Sequence, residues 1–230
     1  AQTAGYLPLL VGAGALAEQG SLEQLFEASH RYAAALSARL RDRVYSEAVP
    51  RLATAVAEAQ DTGMSMSDGE LSSCYEQALL ILFRLGFVAY AEDRDLLPYS
   101  TNGAYRDHSL KRMATHLTET VSDDAPTFDG KAYSYWDDVR QLWDAVDRGN
   151  ADWGVPAYNG GLFSSDPDVR QAGAALATIR LSNAHMGPVL AALLLDYTPE
   201  GIGPVDFRSL SVREFGTIYE GLLESQLAVA

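Results

Sequence analysis

Two short strings carry residues that could take part in catalysis. Gly12 to Ala17 matches the pattern G-x-G-x-x-A of a dinucleotide-binding turn, where glycines let the backbone approach a pyrophosphate. A strand ending in Asp or Glu should follow about 20 residues later, but a helical pattern stands there instead. Asp129-Gly130-Lys131, after Asp123 and Asp124, has the residue types of a Mg²⁺-dependent nuclease site. These acids fall in a polar loop and not on a sheet, so solvated loop charges are the favoured interpretation.

The remaining polar residues give no catalytic pattern. A pocket could be lined by Glu92, Asp152, Tyr158 and Asn159. No nucleophile–base pair accompanies them, so a standalone enzyme is disfavoured. The four histidines have no ligand spacing with one another or with the lone Cys74, so no zinc site is predicted. One cysteine cannot form an intrachain disulfide, which fits a reducing cytoplasm. The sequence predicts no catalytic residue, cofactor site or metal site in this segment.

The charge is unevenly distributed along the chain. The net charge is −14, which argues against tight non-specific DNA binding, because such binding needs Lys and Arg to neutralise phosphates. Residues 21–60 contain five Arg and five acids, so the rest of the chain carries the whole excess. The best candidates for a nucleic-acid contact are Arg39, Arg41 and Arg43. A solvated helix face remains the favoured interpretation, because a charge run alone is weak evidence.

Hydrophobic periodicity predicts an all-α fold, an irregular bundle of about seven or eight helices. Residues 1–20 form an irregular N-terminal segment, and residues 21–230 form a single helical domain. Ser21 and Gln24 have capping-box spacing at the first helix, which Pro50 must end or kink and which resumes to about Gln60. The second helix begins at Ser67 or Asp68. It is apolar almost all round from Leu79 to Ala91, which predicts the buried central helix.

The second half of the chain predicts shorter helices and one long loop. Helices are expected at Ser109–Thr120, from Ser134 to Gly149, from Asp166-Pro167, from Asn183 or Ala184 to near Tyr197, and from Ser211, where Glu214 completes a capping box. Residues 150–163 form the long loop, which contains Gly and Pro, and Val205–Phe207 could form a very short strand. No apolar run reaches the ~18–20 residues of a membrane span, so a cytoplasmic protein without a membrane partner is expected.

Three strings stand in a fixed order. They are Leu82–Pro98, Gly154–Phe163 and Phe215–Glu224. In this order the strings resemble the helical region of type IIG-like fused restriction–modification enzymes and adenine-specific DNA methyltransferases, over about residues 35–226. The residues that carry this resemblance are Glu92, Asp93, Arg94, Tyr158, Asn159, Gly160, Gly161, Leu162, Phe163, Gly216, Tyr219, Glu220 and Glu224.

This resemblance implies a non-catalytic connector. In such proteins the helical region precedes an adenine-N6 methyltransferase domain of the same polypeptide, packs against it and can help to position duplex DNA. The parent protein would use S-adenosylmethionine, and Mg²⁺ if it also cleaves DNA. The Asn/Asp-Pro-Pro-aromatic motif that grips a flipped adenine is absent, since the sequence contains no Pro-Pro. Catalysis is therefore expected beyond Glu224, in a longer chain of which this is a fragment.

Two questions stay open at the level of sequence. Glu220 and Glu224 lie four residues apart beside Tyr219, and this helix face is expected to contact the next domain. The alternative function is an acidic helical module that binds a protein partner and has no link to DNA. The net charge of −14 favours this alternative. The sequence does not indicate an oligomeric state.

Overall fold

A computed structural model describes residues 15–17, 20–60, 67–121, 127–158, 160–199, 201–214, 216–218 and 220. Within these residues the fold is mainly helical, with one small antiparallel sheet, so the prediction of a strictly all-α fold was wrong in this respect. The α-helices are α1 Ser21–Arg43, α2 Val49–Ala59, α3 Asp68–Asp93, α4 Gly103–His108, α5 Leu110–Val121, α6 Ser134–Arg148, α7 Gln171–Leu176 and α8 Asn183–Leu194. The strands are β1 Leu195–Thr198 and β2 Gly201–Pro204.

Pro50 does not end the first helical path. A π-helical turn, Val44–Ala48, joins α1 directly to α2. Proline lacks an N–H, and its ring clashes with the carbonyl four residues earlier in an α-helix. The wider π turn just before Pro50 makes room for the ring. At the other end of α1, Gly20 and not Ser21 is the N-cap, so the predicted cap was wrong by one residue.

Helix α3 is the buried central helix, as predicted. Ser67 and Glu70 form a capping box at its start, with the Ser67 N–H donating to Glu70 Oε2 at 2.8 Å. α3 packs against α2, α5, α6 and α7, while α8 packs against α2, α5 and α6. By length and composition α3 could cross a membrane, but 72% of its apolar window is buried inside the protein. One hydrophobic cluster extends from Leu36 to Ile218.

Several elements differ from the sequence prediction. Helix α4, which was not predicted, is capped by Asn102, whose Oδ1 accepts from the Tyr105 N–H at 3.0 Å. Helix α7 begins at Gln171 and not at Asp166, because Asp166 Oδ1 accepts from the Asp168 N–H and holds residues 167–169 in a turn. Helix α8 ends at Leu194 and not near Tyr197, since residues 195–198 form β1. The short strand considered at Val205–Phe207 does not form either, since residues 207–209 form a 3₁₀ turn.

The capping box at Ser211 is confirmed. The Ser211 N–H donates to Glu214 Oε2 at 2.7 Å, and the Glu214 N–H donates to Ser211 Oγ at 3.2 Å. The backbone is helical at residues 212–214, 216–218 and 220. Each side chain thus satisfies a backbone N–H that the first turn of a helix leaves without a partner.

Candidate functional site

Two of the three strings that carry the resemblance pack against each other. We call this contact the motif junction: residues 82–98, which form the second half of α3 and the turn after it, together with residues 154–158 and 160–164. Arg84 Nε donates to the Leu162 carbonyl at 2.8 Å, and its Nη2 donates to the Ser164 carbonyl at 3.0 Å. The guanidinium also lies over the Trp143 and Phe163 rings. Burial lowers the pKa of Arg84 to about 10.

Aromatic contacts hold the other side of the loop. The Tyr158 hydroxyl donates to the Leu96 carbonyl at 2.7 Å. The Phe87 ring meets the rings of Tyr158 and Phe163 edge to face, with centroids 6.4 and 5.4 Å apart. The loop is therefore fixed both to α3 and to the turn that follows α3. Gly149 and Gly154 have positive φ angles, whereas Gly160 and Gly161 do not.

Glu92 is fully buried in the motif junction. It accepts hydrogen bonds from the Tyr105 hydroxyl at 2.8 Å and from the backbone N–H groups of Leu110 and Lys111, both at 2.9 Å. Burial raises the pKa of Glu92 to about 7, although the Lys111 N–H, Tyr105 and the Leu110 N–H act in the opposite direction. Its carboxyl group thereby satisfies the first turn of α5.

The next residues of the string connect α3 to the C-terminal segment. Asp93 contacts Lys111 Nζ at 2.5 Å and accepts from the Phe207 N–H at 2.7 Å. Arg94 Nη2 donates to the Leu210 carbonyl at 2.6 Å, and its guanidinium lies over the Tyr90 ring. Glu92, Asp93 and Arg94 all have partners within the chain, so these residues build the fold.

The other predicted pocket residues do not converge with Glu92. Asp152 is exposed, and its backbone carbonyl accepts from Asn102. Glu92 has no exposed surface, so it cannot share an open pocket with Asp152. Asn159, Tyr219 and Glu224 lie outside the described residues, whereas Glu220 is exposed in a helical stretch with Gly216.

The three arginines predicted as DNA contacts have different surroundings. Arg39 makes a bidentate ion pair with Asp196, with nitrogen–oxygen distances of 3.0 and 2.6 Å. The guanidinium nitrogens of Arg43 are buried over the Tyr197 ring and have no hydrogen-bond partner among the described residues, and burial lowers the pKa of Arg43. Arg41 is about half exposed beside Asp42. In this arrangement Arg41 is the one of the three that is best placed to meet a phosphate.

The two catalytic patterns in the sequence gain no support from the described residues. Asp129 Oδ1 accepts from the Lys131 N–H at 2.7 Å within a local turn. Asp123, Asp124 and the glycines of the G-x-G-x-x-A string lie outside the described part of the chain. Among the residues that the structure describes, no three His, Cys, Asp or Glu side chains are grouped as metal ligands.

The first three turns of α1 expose large apolar side chains. Leu25 and Phe26 are each 60% exposed, and Tyr32 is 46% exposed. Phe26, Ala33 and Leu40 recur every seven residues, so Phe26 lies on the helix face that is buried further along. We call Leu22, Leu25, Phe26 and Tyr32 the α1 stripe. The face of α1 that is buried in the core from Ala33 onward is thus exposed to solvent in the three N-terminal turns of the helix.

No protein-family model, curated protein or solved structure matches this chain. The structure adds residues that sequence reasoning missed: Arg84 joins the two parts of the motif junction, and Tyr105 and Lys111 pair with Glu92 and Asp93. A signal for Arg84 was present, because it is a lone charge in an apolar stretch of α3. Such a charge is usually paired or hydrogen-bonded when buried. Tyr105 and Lys111 carry no comparable signal.

Proposed function

We propose that this chain is a non-catalytic helical connector of a DNA restriction–modification or adenine-N6 methyltransferase protein, which docks to a neighbouring domain through the α1 stripe. The exposed α1 stripe is the observation that carries this proposal. Contiguous apolar side chains on a surface mark interaction sites, whereas single ones need no explanation. The strings Leu82–Pro98, Gly154–Phe163 and Phe215–Glu224 supply the family to which the connector would belong.

The energetics of the α1 stripe favour a docked state. Burying one large apolar side chain contributes roughly 1.5–3 kcal/mol. Burial of Leu25 and Phe26 together would contribute several kcal/mol to the free energy of docking. Leu36 and Leu40, buried in the core, already hold α1, the helix that carries Leu25 and Phe26, in place. The conformational cost of docking is therefore small, because the binding face is ordered in advance.

The motif junction supports a scaffold role for the strings. Arg84, Glu92, Asp93 and Arg94 direct their charged groups to partners inside the chain. Fully satisfied buried polar networks rigidify a core and specify its arrangement. A rigid connector holds the domains at its two ends in a fixed relation. In the proposed parent, S-adenosylmethionine would supply the methyl group outside this segment, and Mg²⁺ would serve any cleavage.

The first test reads the natural reading frame beyond Ala230. An Asn/Asp-Pro-Pro-aromatic motif within the next ~100 codons supports the methyltransferase parent. A stop codon directly after this segment contradicts it.

The second test compares two variants of the protein encoded by the complete reading frame. Phe26→Glu places a charge in the α1 stripe, and Val169→Glu is the matched control, because Val169 is 59% exposed in the turn before α7. N6-methyladenine formation on DNA should fall about tenfold for Phe26→Glu, since roughly 1.4 kcal/mol of docking energy is lost. It should be unchanged for Val169→Glu. Equal activity of both variants would contradict docking through the α1 stripe.

The second candidate function is an acidic protein-interaction module with no link to DNA. The net charge of −14 and the internal pairing of Arg39 favour it. This candidate predicts that the complete reading frame contains no methyltransferase motif. It also predicts that the complete protein leaves DNA unmethylated and gives no salt-dependent gel shift.

A further inference from the structure

The α1 stripe is narrow and short. Its four side chains lie within about 120° of one another around the axis of α1, because successive residues of a helix are about 100° apart. From Leu22 to Tyr32 the stripe measures about 15 Å, at about 1.5 Å per residue. On the far side of these turns, Glu27 and Arg31 form an ion pair and are 63% and 74% exposed. The exposed apolar surface is therefore one helix face wide and about three turns long.

Other elements of the fold close the C-terminal end of the α1 stripe. Beyond Tyr32 the same face of α1 is covered, since Leu36 is fully buried and Arg39 forms its ion pair with Asp196 of β1. Helix α1 also contacts the 3₁₀ turn at residues 207–209. A partner that lies on the stripe therefore ends against the β1–β2 sheet and this turn.

Negative charge marks the closed end of the stripe. Asp206 is exposed just before the 3₁₀ turn. Among the described residues its carboxylate has no cationic partner, and it accepts hydrogen bonds within its own turn. Burial raises the pKa of Tyr32, and Asp196 and Asp206 raise it further, although Arg39 acts in the opposite direction. Since Arg39 pairs with Asp196, Asp206 supplies the uncompensated charge near Tyr32.

We infer that one amphipathic helix of the neighbouring domain occupies the α1 stripe and runs antiparallel to α1, with its N-terminal end beside Asp206. The inference rests on the proposed function, which supplies the neighbouring domain. A stripe one helix face wide is the surface that two packed helices share. The N-terminal end of a helix carries a partial positive charge, so Asp206 attracts that end and repels the other.

The test is photo-cross-linking in the protein encoded by the complete reading frame. A diazirine amino acid replaces either Leu25 or Tyr32, which lie seven residues and about 10 Å apart along the stripe. An antiparallel helix gives cross-linked positions about seven residues apart in the neighbouring domain, with the position reached from Leu25 later in the chain. An extended strand gives positions only about three residues apart, because it rises about 3.3 Å per residue. The same amino acid at Val169, which is 59% exposed, is the control and should reach no residue of that domain.

The possible results separate this inference from the proposed function. Positions about three residues apart, in forward order or scattered over several segments would overturn the antiparallel helix and leave docking through the α1 stripe intact. Cross-links to a second copy of the chain alone, or no more cross-links than from Val169, would overturn both.

The charge at the end of the stripe gives a second readout. Asp206→Asn keeps a hydrogen-bond acceptor for the turn but removes the charge, and Asp152→Asn is the matched control at an exposed position in the 150–163 loop. In the complete protein, protection of residues 21–32 from hydrogen exchange should fall about two- to fivefold for Asp206→Asn. It should stay unchanged for Asp152→Asn. Equal protection in the two variants would overturn the placement of the N-terminal end beside Asp206.

Discussion

Glu92 illustrates how a motif residue can be structural at the scale of a single side chain. Its carboxyl group accepts hydrogen bonds from a phenolic hydroxyl and from two backbone N–H groups, and the side chain is fully buried. An acid in a charged string would ordinarily be assigned to the surface or to a ligand. The sequence named Glu92 as a candidate pocket residue and as part of the resemblance. The sequence could not show that the hydrogen-bond partners of Glu92 come from α4 and α5, because the packing of these helices against α3 is not visible in the sequence.

The stability of the protein should depend on pH through Glu92. Burial raises the pKa of Glu92 from 4.5 to about 7, so the folded state binds its proton more tightly than the unfolded state does. Its contribution to stability is present below pH 4.5 and is lost as the pH rises through about 7, by up to about 3 kcal/mol. Urea unfolding between pH 4.5 and 8 measures this loss. Glu92→Gln should remove that part of the pH dependence.

Glu119→Gln is the control for this prediction. Glu119 is largely exposed, so its substitution should leave the pH dependence of the unfolding free energy as it is in the unmodified protein. Parallel curves for Glu92→Gln and the unmodified protein would show that Glu92 does not cause the loss.

Arg84 is the second residue on which the motif junction depends. Arg84→Met keeps an unbranched apolar stem in place of the Arg84 stem but leaves the Leu162 and Ser164 carbonyls without their donors. The free energy of unfolding should fall by about 3 kcal/mol. Arg170→Met is the matched control, because Arg170 donates to the Gly161 carbonyl of the same loop from an exposed position. It should cost less than about 1 kcal/mol, and equal losses in urea unfolding would refute a special role for Arg84.

At the scale of elements, long segments were predictable and short ones were not. The central position of α3 follows from its apolar sequence, and the capping box at Ser211 was visible as a residue spacing, whereas the same spacing at Ser21 was misleading because Gly20 is the N-cap. Helix α4 and the two strands span six, four and four residues, too few for a periodicity to emerge. Pro50 was recognised as a helix breaker, but the π turn that accommodates it depends on the packing of α1 and α2 against the core.

Close packing between elements gives a prediction on two glycines. A Cβ at Gly173 would collide with the backbone carbonyl of Ser164, which Arg84 holds in place. A Cβ at Gly187 would collide with the ring of Phe128, which is only partly buried and can rotate away. Gly173→Ala should therefore lower the free energy of unfolding by more than about 2 kcal/mol, and Gly187→Ala should lower it by about 1 kcal/mol.

Gly69→Ala is the control for both glycine substitutions. Nothing lies within 4 Å of the position of its added Cβ, in the first turn of α3. This substitution should stabilise the protein by up to about 1 kcal/mol, because alanine has the higher helix propensity. Thermal unfolding of the three variants tests the order, and a larger loss for Gly187→Ala than for Gly173→Ala would contradict it.

At the scale of the whole molecule, the fold has a packed core and an exposed apolar surface, the α1 stripe, at the N-terminal end of α1. The motif junction satisfies its charges internally, while the α1 stripe continues the core-facing side of α1 into solvent. The sequence predicted an apolar periodicity for all of α1. It could not show where the body of the protein ends along that helix, because this depends on how far α8 and the β1–β2 sheet reach.

Hydrogen exchange of residues 21–32 tests the central claim most directly. The amides of the first three turns of α1 are compared in this chain alone and in the protein encoded by the complete reading frame. Docking of the α1 stripe should slow their exchange in the complete protein by at least about tenfold, whereas the amides around the exposed Val169 should keep their rate. Equal exchange of residues 21–32 in the two proteins would contradict a connector that docks through this face.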